Sequence, residues 1–277
     1  MATGFPCHVC EGMRVPPGRS EWRKLQALDA QGQLVDEVDV AADRFVWEAV
    51  RNLQREAAAA RAARWAEAEF EQLHREGGLK LNLGCGGDLR AGWVNIDLTV
   101  GHGIGEAATG AKVIEFDLRR GLPLADDSCA LIYSSHFLEH LEYRHGLALM
   151  RDCYRCLERG GLLRLVLPDF RLDLQAYLSG DRAYVAEFDR IAAPDFGEEF
   201  ELIRGMPPEL RGRAMADYVN FFIYQYGEHK TIYDRENVQL MLEHVGFGRV
   251  RRSSQREDLD GSDEILQKYS FYIEAVK

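Results

Sequence analysis

Five short apolar segments constrain the fold of this 277-residue chain more than any other feature. They follow Gly77-Gly78 in the order LKLNLGC, GWVNIDL, AKVIEFDL, CALIYSS and GLLRLVLPD. Between the last two, HLEYRHGLALMRDCYRCLERGG predicts a helix that ends at Gly160-Gly161. Short apolar strands joined by crossovers are typical of a parallel sheet with helices on both faces. The sequence therefore predicts an α/β fold.

The regions around this series divide the chain further. Residues 1–77 are predicted to be an N-terminal extension, with a hairpin turning at 29–32 and then a long helix over 43–76. Residues 78–277 are predicted to form the main domain. Within it, the aromatic-rich stretch 171–225 predicts a helical insertion, and the chain closes with a helix, DRENVQLMLEHVGF, and two strands, GRVRRSS and YSFYIEAV.

Composition excludes several classes of protein. The formal charge of −11 and the pI near 5.3 argue against nucleic acid or an anionic membrane as a partner. No long uncharged apolar run predicts a membrane span, and the first residues lack a signal-peptide pattern. Six cysteines are too few for a disulfide scaffold in a chain of this length. These features predict a cytoplasmic protein with reduced thiols.

The predicted strand ends carry groups suited to a nucleoside ligand. Ligands of open α/β sheets bind beyond the carboxyl ends of the strands. The first strand ends in a glycine-rich loop that permits close backbone approach. Asp97 follows the second strand and can accept hydrogen bonds from both ribose hydroxyls, and Asp117 follows the third. The predicted ligand-binding residues are Asn82, Gly84, Cys85, Gly86, Asp97, Leu98, Asp117, Leu118, Ser134 and Ser135.

The segments LNLGCGGDLRAGWVNIDL, EFDLRRGLPLADDSCALIYSSHFLEHL and CYRCLERGGLLRLVLPD resemble class I S-adenosylmethionine-dependent methyltransferases over roughly residues 78–170. The nearest likeness is to small bacterial enzymes of glycan or natural-product pathways. The resemblance implies a Rossmann-like seven-stranded sheet with the last strand inserted antiparallel. It also implies S-adenosylmethionine as cofactor and S-adenosylhomocysteine as product. Gly84 and Gly86 would line the methionine part, Asp97 would hold the ribose, and Asp117 with Leu118 would frame the adenine.

The loop after the first strand departs from the usual pattern. Only GDLRAGW separates the glycines from the second strand, so the first crossover helix is predicted to be short or absent. A dinucleotide-binding enzyme is disfavoured, because Leu89 stands where the third glycine of G-x-G-x-x-G belongs. Asp97 also comes too early for the acid of that motif.

Two patterns raise the question of a metal. His136-x-x-Glu139-His140 matches the inverted zinc-hydrolase motif, and Ser135 can cap a helix starting at His136. No downstream motif nominates a third ligand. Cys7-x-x-Cys10 and Cys153-x-x-Cys156 can together supply four sulfurs. The second pair has an ordinary packing explanation on its helix, so no metal ligand is predicted.

The predicted activity is O-methylation of a hydroxyl on a small-molecule acceptor, a sugar or natural product. His136 and His229 are the candidate bases, with Tyr233 also on the acceptor side. Asp169 either contacts the acceptor or caps the following helix. Three alternatives remain open: N-methylation of a small molecule, a non-catalytic cofactor-binding protein of the same fold, and a hydrolase using the His136 motif. A homodimer is compatible with the sequence.

Overall fold

The computed structural model describes strand segments 6–7, 13–14, 24–28 and 34–39, and then residues 70–73, 77–98, 111, 113–196 and 214–277. The N-terminal strands pair antiparallel in chain order: β1 Pro6–Cys7, β2 Met13–Arg14, β3 Lys24–Leu28 and β4 Leu34–Asp39. Strands β3 and β4 flank the turn predicted at 29–32, whereas β1 and β2 were not predicted. Residues 70–73 are helical, and the rest of the predicted helix over 43–76 lies outside the described residues.

The main sheet has seven strands in the order β10-β11-β9-β8-β5-β6-β7. Their bounds are β5 Leu79–Leu83, β6 Val94–Asp97, β7 Val113–Glu115, β8 Cys129–Ser135, β9 Leu157–Pro168, β10 Arg249–Ser253 and β11 Ser270–Val276. Strands β5 to β9 run parallel to one another, and β11 lies antiparallel between β9 and β10. The predicted Rossmann-like sheet, with its last strand inserted antiparallel, is confirmed.

The helices follow the predicted distribution except near the C-terminus. They are α1 Tyr143–Cys156, α2 Phe170–Ser179, α3 Arg182–Phe196, α4 Met215–Tyr224, α5 Arg235–Val245, α6 Glu257–Asp260 and α7 Glu264–Tyr269. Helices α2 to α4 fall in the stretch predicted to be a helical insertion, and α6 and α7 were not predicted. Among the described helices, none has the length and hydropathy needed to cross a bilayer.

Helix α1 ends four residues before the predicted stop at Gly160-Gly161. Leu157 already pairs with Cys129 of β8, and the Gly160 N–H donates to the carbonyl of Lys277. The predicted end was wrong because pairing with distant parts of the chain draws 157–161 into β9. Glycine is still required at 160, where φ is +82°.

Side chains of β9 alternate between two different environments. Leu163, Leu165 and Leu167 belong to the large apolar core. Arg164 and Val166 face the other side, where Val166 packs with Tyr133 and Tyr272. The period of two residues in a strand explains this division. On this second face Arg164 is fully buried, which is unusual for an arginine.

The connection from β5 to β6 contains no helix, as predicted: all of residues 84–93 are described and none is helical. Buried asparagines hold this connection instead. The Asn82 side-chain amide donates to the Asp88 carbonyl at 2.6 Å and to Asn95 Oδ1 at 3.2 Å. Asn95 Oδ1 also accepts from the Arg90 backbone N–H at 3.0 Å. These bonds satisfy backbone groups that a helix would have paired internally.

Candidate cofactor cleft and acceptor-side cluster

A cleft of about 690 Å³ opens at the carboxyl ends of β5 and β8. This is the edge at which open α/β sheets bind ligands, and the volume is in the usual range for a small-molecule site. One wall is the glycine loop, and the opposite wall is the segment containing α6 and the start of α7. The lining residues are Asn82, Gly84, Cys85, Gly86, Gly87, Asp88, Arg90, Trp93, Tyr133, Ser135, His136, Glu257, Asp258, Leu259, Asp260, Gly261, Ser262, Asp263 and Leu266.

Two glycines shape the loop in different ways. Gly84 has φ +64°, and a Cβ there would lie 2.1 Å from Cγ of Phe137. Gly86 has φ +47°, and a Cβ there would meet no atom within 4 Å. Its N–H donates to Oδ2 of Asp97 at 2.9 Å. Gly84 therefore permits close packing, while Gly86 permits the left-handed turn that joins the loop to the end of β6.

The predicted cofactor residues fall into two groups. Asn82, Gly84, Cys85, Gly86 and Ser135 line the cleft. Those that do not line it are Asp97, Leu98, Asp117, Leu118 and Ser134. Of the second group, Ser134 is buried and its hydroxyl donates to the Leu83 carbonyl at 3.2 Å. Leu118 is part of the apolar core. Both side chains have structural roles here, and their cofactor contacts stay a prediction.

Asp117 is held by an arginine two residues along the chain. Arg119 Nη2 donates to Asp117 Oδ2 at 2.8 Å, and the Arg119 backbone N–H donates to Oδ1 at 3.0 Å. Burial by itself would raise the pKa of Asp117, but the hydrogen bonds and positive charge of Arg119 bring the pKa below its ordinary value. Asp117 is thus an ionised acid near the end of β7.

The sequence did not predict two parts of the cleft: the wall formed by α6 and the start of α7, and the aromatic side chains of Trp93 and Tyr133. The Arg90 guanidinium lies over the Tyr133 ring, 3.7 Å from its centroid, and contacts Trp93 at 5.1 Å. Tyr133 was detectable, since it shares a strand face with Ser135. Nothing local identified the acidic wall, which contributes Glu257, Asp258, Asp260 and Asp263.

Cys85, Cys129, Cys153 and Cys156 are free and buried. Burial, with the nearby charge of Asp97, raises the pKa of Cys85 to about 12, so its thiol stays protonated. Burial also raises the pKa values of Cys153 and Cys156, which is unfavourable for thiolate ligands. Cys10, which the hypothesis of a four-sulfur site also requires, lies outside the described residues.

The histidine after β8 does not begin a helix, contrary to the prediction. His136 has φ +48°, and a 3₁₀ turn forms later, at Leu138–His140. The turn is displaced because the His136 N–H donates to the Val166 carbonyl, which extends the pairing of β8 with β9. Its side-chain Nε2 is 2.8 Å from Ser270 Oγ. Burial and the imidazoles of His229 and His140 lower the pKa of His136 to about 4, so the ring is neutral at pH 7.

His229 lies beside the same turn although it is far away in the sequence. The Glu139 carbonyl accepts from the backbone N–H groups of Lys230 at 2.8 Å and Thr231 at 3.1 Å. The imidazoles of His140 and His229 meet edge to face, with centroids 5.0 Å apart. Burial, followed by His140, lowers the pKa of His229 to about 4. The structure thus brings both predicted bases to the 3₁₀ turn.

Glu139 is the most unusual acid of this region. Its side chain is 4% exposed, and neither carboxylate oxygen makes a hydrogen bond with another described residue. Burial raises the pKa of Glu139 to about 8. With His140 and His229 it forms a group whose potential ligand atoms all lie within 4.8 Å of one another. Tyr233, the remaining acceptor-side candidate, lines a small cavity next to this group.

Asp169 lines neither the cleft nor this small cavity. It stands at the N-cap position of α2, but its side chain makes no capping hydrogen bond. Its Oδ2 instead accepts from Arg235 Nη2 at 3.2 Å. This ion pair connects the end of β9 to α5, and the acceptor contact considered for Asp169 stays a prediction.

Comparison with known proteins finds a family model that matches part of the chain. Residues 81–165 match the family model described as a methyltransferase domain. A search of the curated proteins finds no match. Together with the strand order and the glycine loop, this match supports a methyltransferase of the class I S-adenosylmethionine-dependent type. S-adenosylmethionine is the cofactor that this class of protein uses.

Several solved structures are similar to this chain at low identity. A SAM-dependent methyltransferase from Archaeoglobus fulgidus is 16% identical, with 85% of this chain and 100% of that chain covered and a TM-score of 0.42. One from Mesorhizobium loti is 18% identical, with coverages of 76% and 98% and a TM-score of 0.40. Phosphoethanolamine N-methyltransferase 2 from Haemonchus contortus is 12% identical, with coverages of 73% and 49% and a TM-score of 0.41.

The residues of the cleft fit this cofactor. The loop backbone at Gly86 is open on the side where a Cβ would project. Asp88, Asp258 and Asp260 each form an ion pair with an arginine. Glu257 and Asp263 of the lining add negative charge beyond these pairs. An acidic lining suits a ligand that carries a sulfonium and an ammonium group.

Proposed function

We propose that this protein is an S-adenosylmethionine-dependent methyltransferase that methylates a hydroxyl oxygen of a small-molecule acceptor, a sugar or natural product. The observation that carries the proposal is the position of His136, which lines the same cleft as Gly84 and Gly86. A hydroxyl must lose its proton as it is methylated, whereas a neutral amine is already nucleophilic. A neutral imidazole beside the cofactor loop therefore favours oxygen as the methylated atom.

The bound cofactor supplies the activated methyl group, so the protein mainly orients the acceptor and receives its proton. In this proposal, His136 Nε2–H donates to Ser270 Oγ, which leaves the lone pair of Nδ1 for the acceptor proton. His229 is a second candidate base, since its imidazole contacts that of His140 at the same turn.

The proposal includes the domain division and the location. Residues 78–277 are proposed to form the methyltransferase domain. Its insertion at 171–225, with residues 1–77, is proposed to supply the acceptor pocket. A cytoplasmic location is also part of the proposal, since free thiols such as those of Cys85, Cys129, Cys153 and Cys156 are typical of a reducing compartment. A biosynthetic role follows from the proposed class of acceptor.

The test is turnover of S-adenosylmethionine with matched alcohol and amine acceptors, read by S-adenosylhomocysteine formation and product mass. We expect methyl ethers as products, and His136→Gln should lower kcat about 100-fold with little change in KM. His244→Gln is the control, because His244 is an exposed residue in the last turn of α5. Amines as the only methylated acceptors would overturn the proposal.

A further inference from the structure

The geometry points to a binding site for a first-row divalent transition metal ion at Glu139, His140 and His229. Two imidazoles and a carboxylate are a ligand set that zinc and related ions use in proteins. Their potential ligand atoms all lie within 4.8 Å of one another. Sequence reasoning set a metal aside because no third ligand was evident, and the fold supplies that ligand from a distant part of the chain.

Glu139 provides an independent observation. Its carboxylate is almost fully buried, yet both oxygens lack a hydrogen-bond partner among the described residues. Burying an unpaired carboxylate is costly, and buried charges are normally paired or bound to a metal. The imidazole of His136 does not fill this role, because its Nδ1 is 3.8 Å from Oε1, which is too long for a hydrogen bond. A divalent cation bound there would give the carboxylate oxygens the partner that they lack among the described residues.

The surroundings orient His229 as a ligand. Its Nδ1 lies 2.9 Å from the Phe222 carbonyl, so Nδ1–H donates there and the lone pair is on Nε2. Metal-binding histidines commonly use their second nitrogen in this way. The bonds from Lys230 and Thr231 to the Glu139 carbonyl fix the two ligand segments together through their backbones.

Space for an ion or a water is present beside these groups. A cavity of about 20 Å³ is lined by Glu139 and His229, together with Thr231 and Tyr233. One water needs roughly 10–15 Å³ of such volume. Three protein ligands would leave coordination positions open. His136 lines the cofactor cleft and lies beside Glu139, so an ion bound at this group would be placed to bind the acceptor oxygen. That role rests on the proposed O-methylation. Metal binding itself does not depend on it.

The test uses the full chain, stripped with a chelator and titrated with Co²⁺, whose visible absorption reports coordination by nitrogen ligands. Zn²⁺ should displace Co²⁺ from one site, and Mg²⁺ should not. Glu139→Gln and His229→Ala should each weaken Co²⁺ binding at least tenfold, since even loss of a residue behind a ligand costs about 10–100-fold. His244→Ala is the matched control and should bind as the unmodified chain does.

Binding of S-adenosylhomocysteine and far-ultraviolet circular dichroism are measured on each variant, so that loss of the metal site can be distinguished from loss of the fold. A variant that loses Co²⁺ but retains both signals supports the site, even if no acceptor is ever methylated. Absence of Co²⁺ binding in the unmodified chain would overturn the proposal. Equal Co²⁺ affinity in the folded Glu139→Gln and His229→Ala proteins and in the unmodified chain would also overturn it.

Discussion

The backbone N–H of Gly86 donates a 2.9 Å hydrogen bond to Oδ2 of Asp97. This bond connects the glycine loop after β5 to the end of β6, the neighbouring strand. It requires the left-handed backbone at Gly86, where φ is +47°. The loop and the acid therefore form one unit, whose geometry depends on both residues.

Asp97→Ala should weaken S-adenosylhomocysteine binding about tenfold or more, because a hydrogen bond to a charged group contributes about 1.5–3 kcal/mol. Isothermal titration calorimetry measures the affinity. The control is Glu236→Ala, a substitution in the first turn of α5. Unchanged affinity in Asp97→Ala would contradict the assignment of Asp97 to the cofactor site.

Gly84→Ala should destabilise the fold by at least about 2 kcal/mol, since it combines left-handed backbone with a steric clash. The new Cβ would lie 2.1 Å from Cγ of Phe137. Urea unfolding measures the change. Gly87→Ala is the matched control in the same loop, because a Cβ there meets nothing within 4 Å. Equal stability of the two variants would show that the loop relaxes around Gly84.

Arg164→Leu should cost about 3–5 kcal/mol of unfolding free energy, because it leaves buried acids without a counter-charge. The fully buried guanidinium pairs with Asp260 and with Glu274, the latter at 2.8 Å. Arg251 also pairs with Glu274 but is 69% exposed, so Arg251→Leu should cost less than about 1 kcal/mol. Urea denaturation of both variants checks the ranking. Similar losses would contradict it.

Arg119→Leu should reduce the loss of stability on acidification. The folded-state pKa of Asp117 lies below 3.8, so its ionisation stabilises the fold above the unfolded pKa. That contribution disappears as pH falls below 3.8 and through the folded pKa. Without the hydrogen bonds and charge of Arg119, the effect of burial would dominate and would raise the pKa of Asp117.

Unfolding free energies between about pH 3 and pH 6 test this prediction. The decline toward low pH should be shallower in Arg119→Leu than in the unmodified chain. Arg120→Leu is the control, since Arg120 makes the smallest contribution to the pKa of Asp117. A steeper decline in Arg119→Leu would contradict the sign of the effect.

The placement of the glycine loop and of Asp97 at one edge of the sheet was predictable because its determinants are local. Gly84 and Gly86 lie directly after an apolar strand, and Asp97 ends the next. The carboxyl ends of parallel strands share one edge, so their order along the chain indicates their proximity. The position of His136 followed from the same rule.

The end of helix α1 and the wall of the cleft formed by α6 and the start of α7 were less predictable. The end of α1 was misplaced because Leu157 pairs with Cys129, a contact that no local pattern reveals. Helix α6 is fixed by the pairing of Asp260 with Arg164, 96 positions earlier. The acidic wall of the cleft depends on that pairing and was therefore missed.

The five central strands and the sharp turn at Gly84 and Gly86 were predictable from the sequence, because strand periodicity and backbone conformation depend on neighbouring residues. Tertiary structure decided which distant groups meet. Only the folded chain brings His229 to Glu139 and leaves that carboxylate buried without a hydrogen-bond partner among the described residues. The physical reason is that burial and electrostatic pairing depend on distance in space, which separation along the chain does not specify.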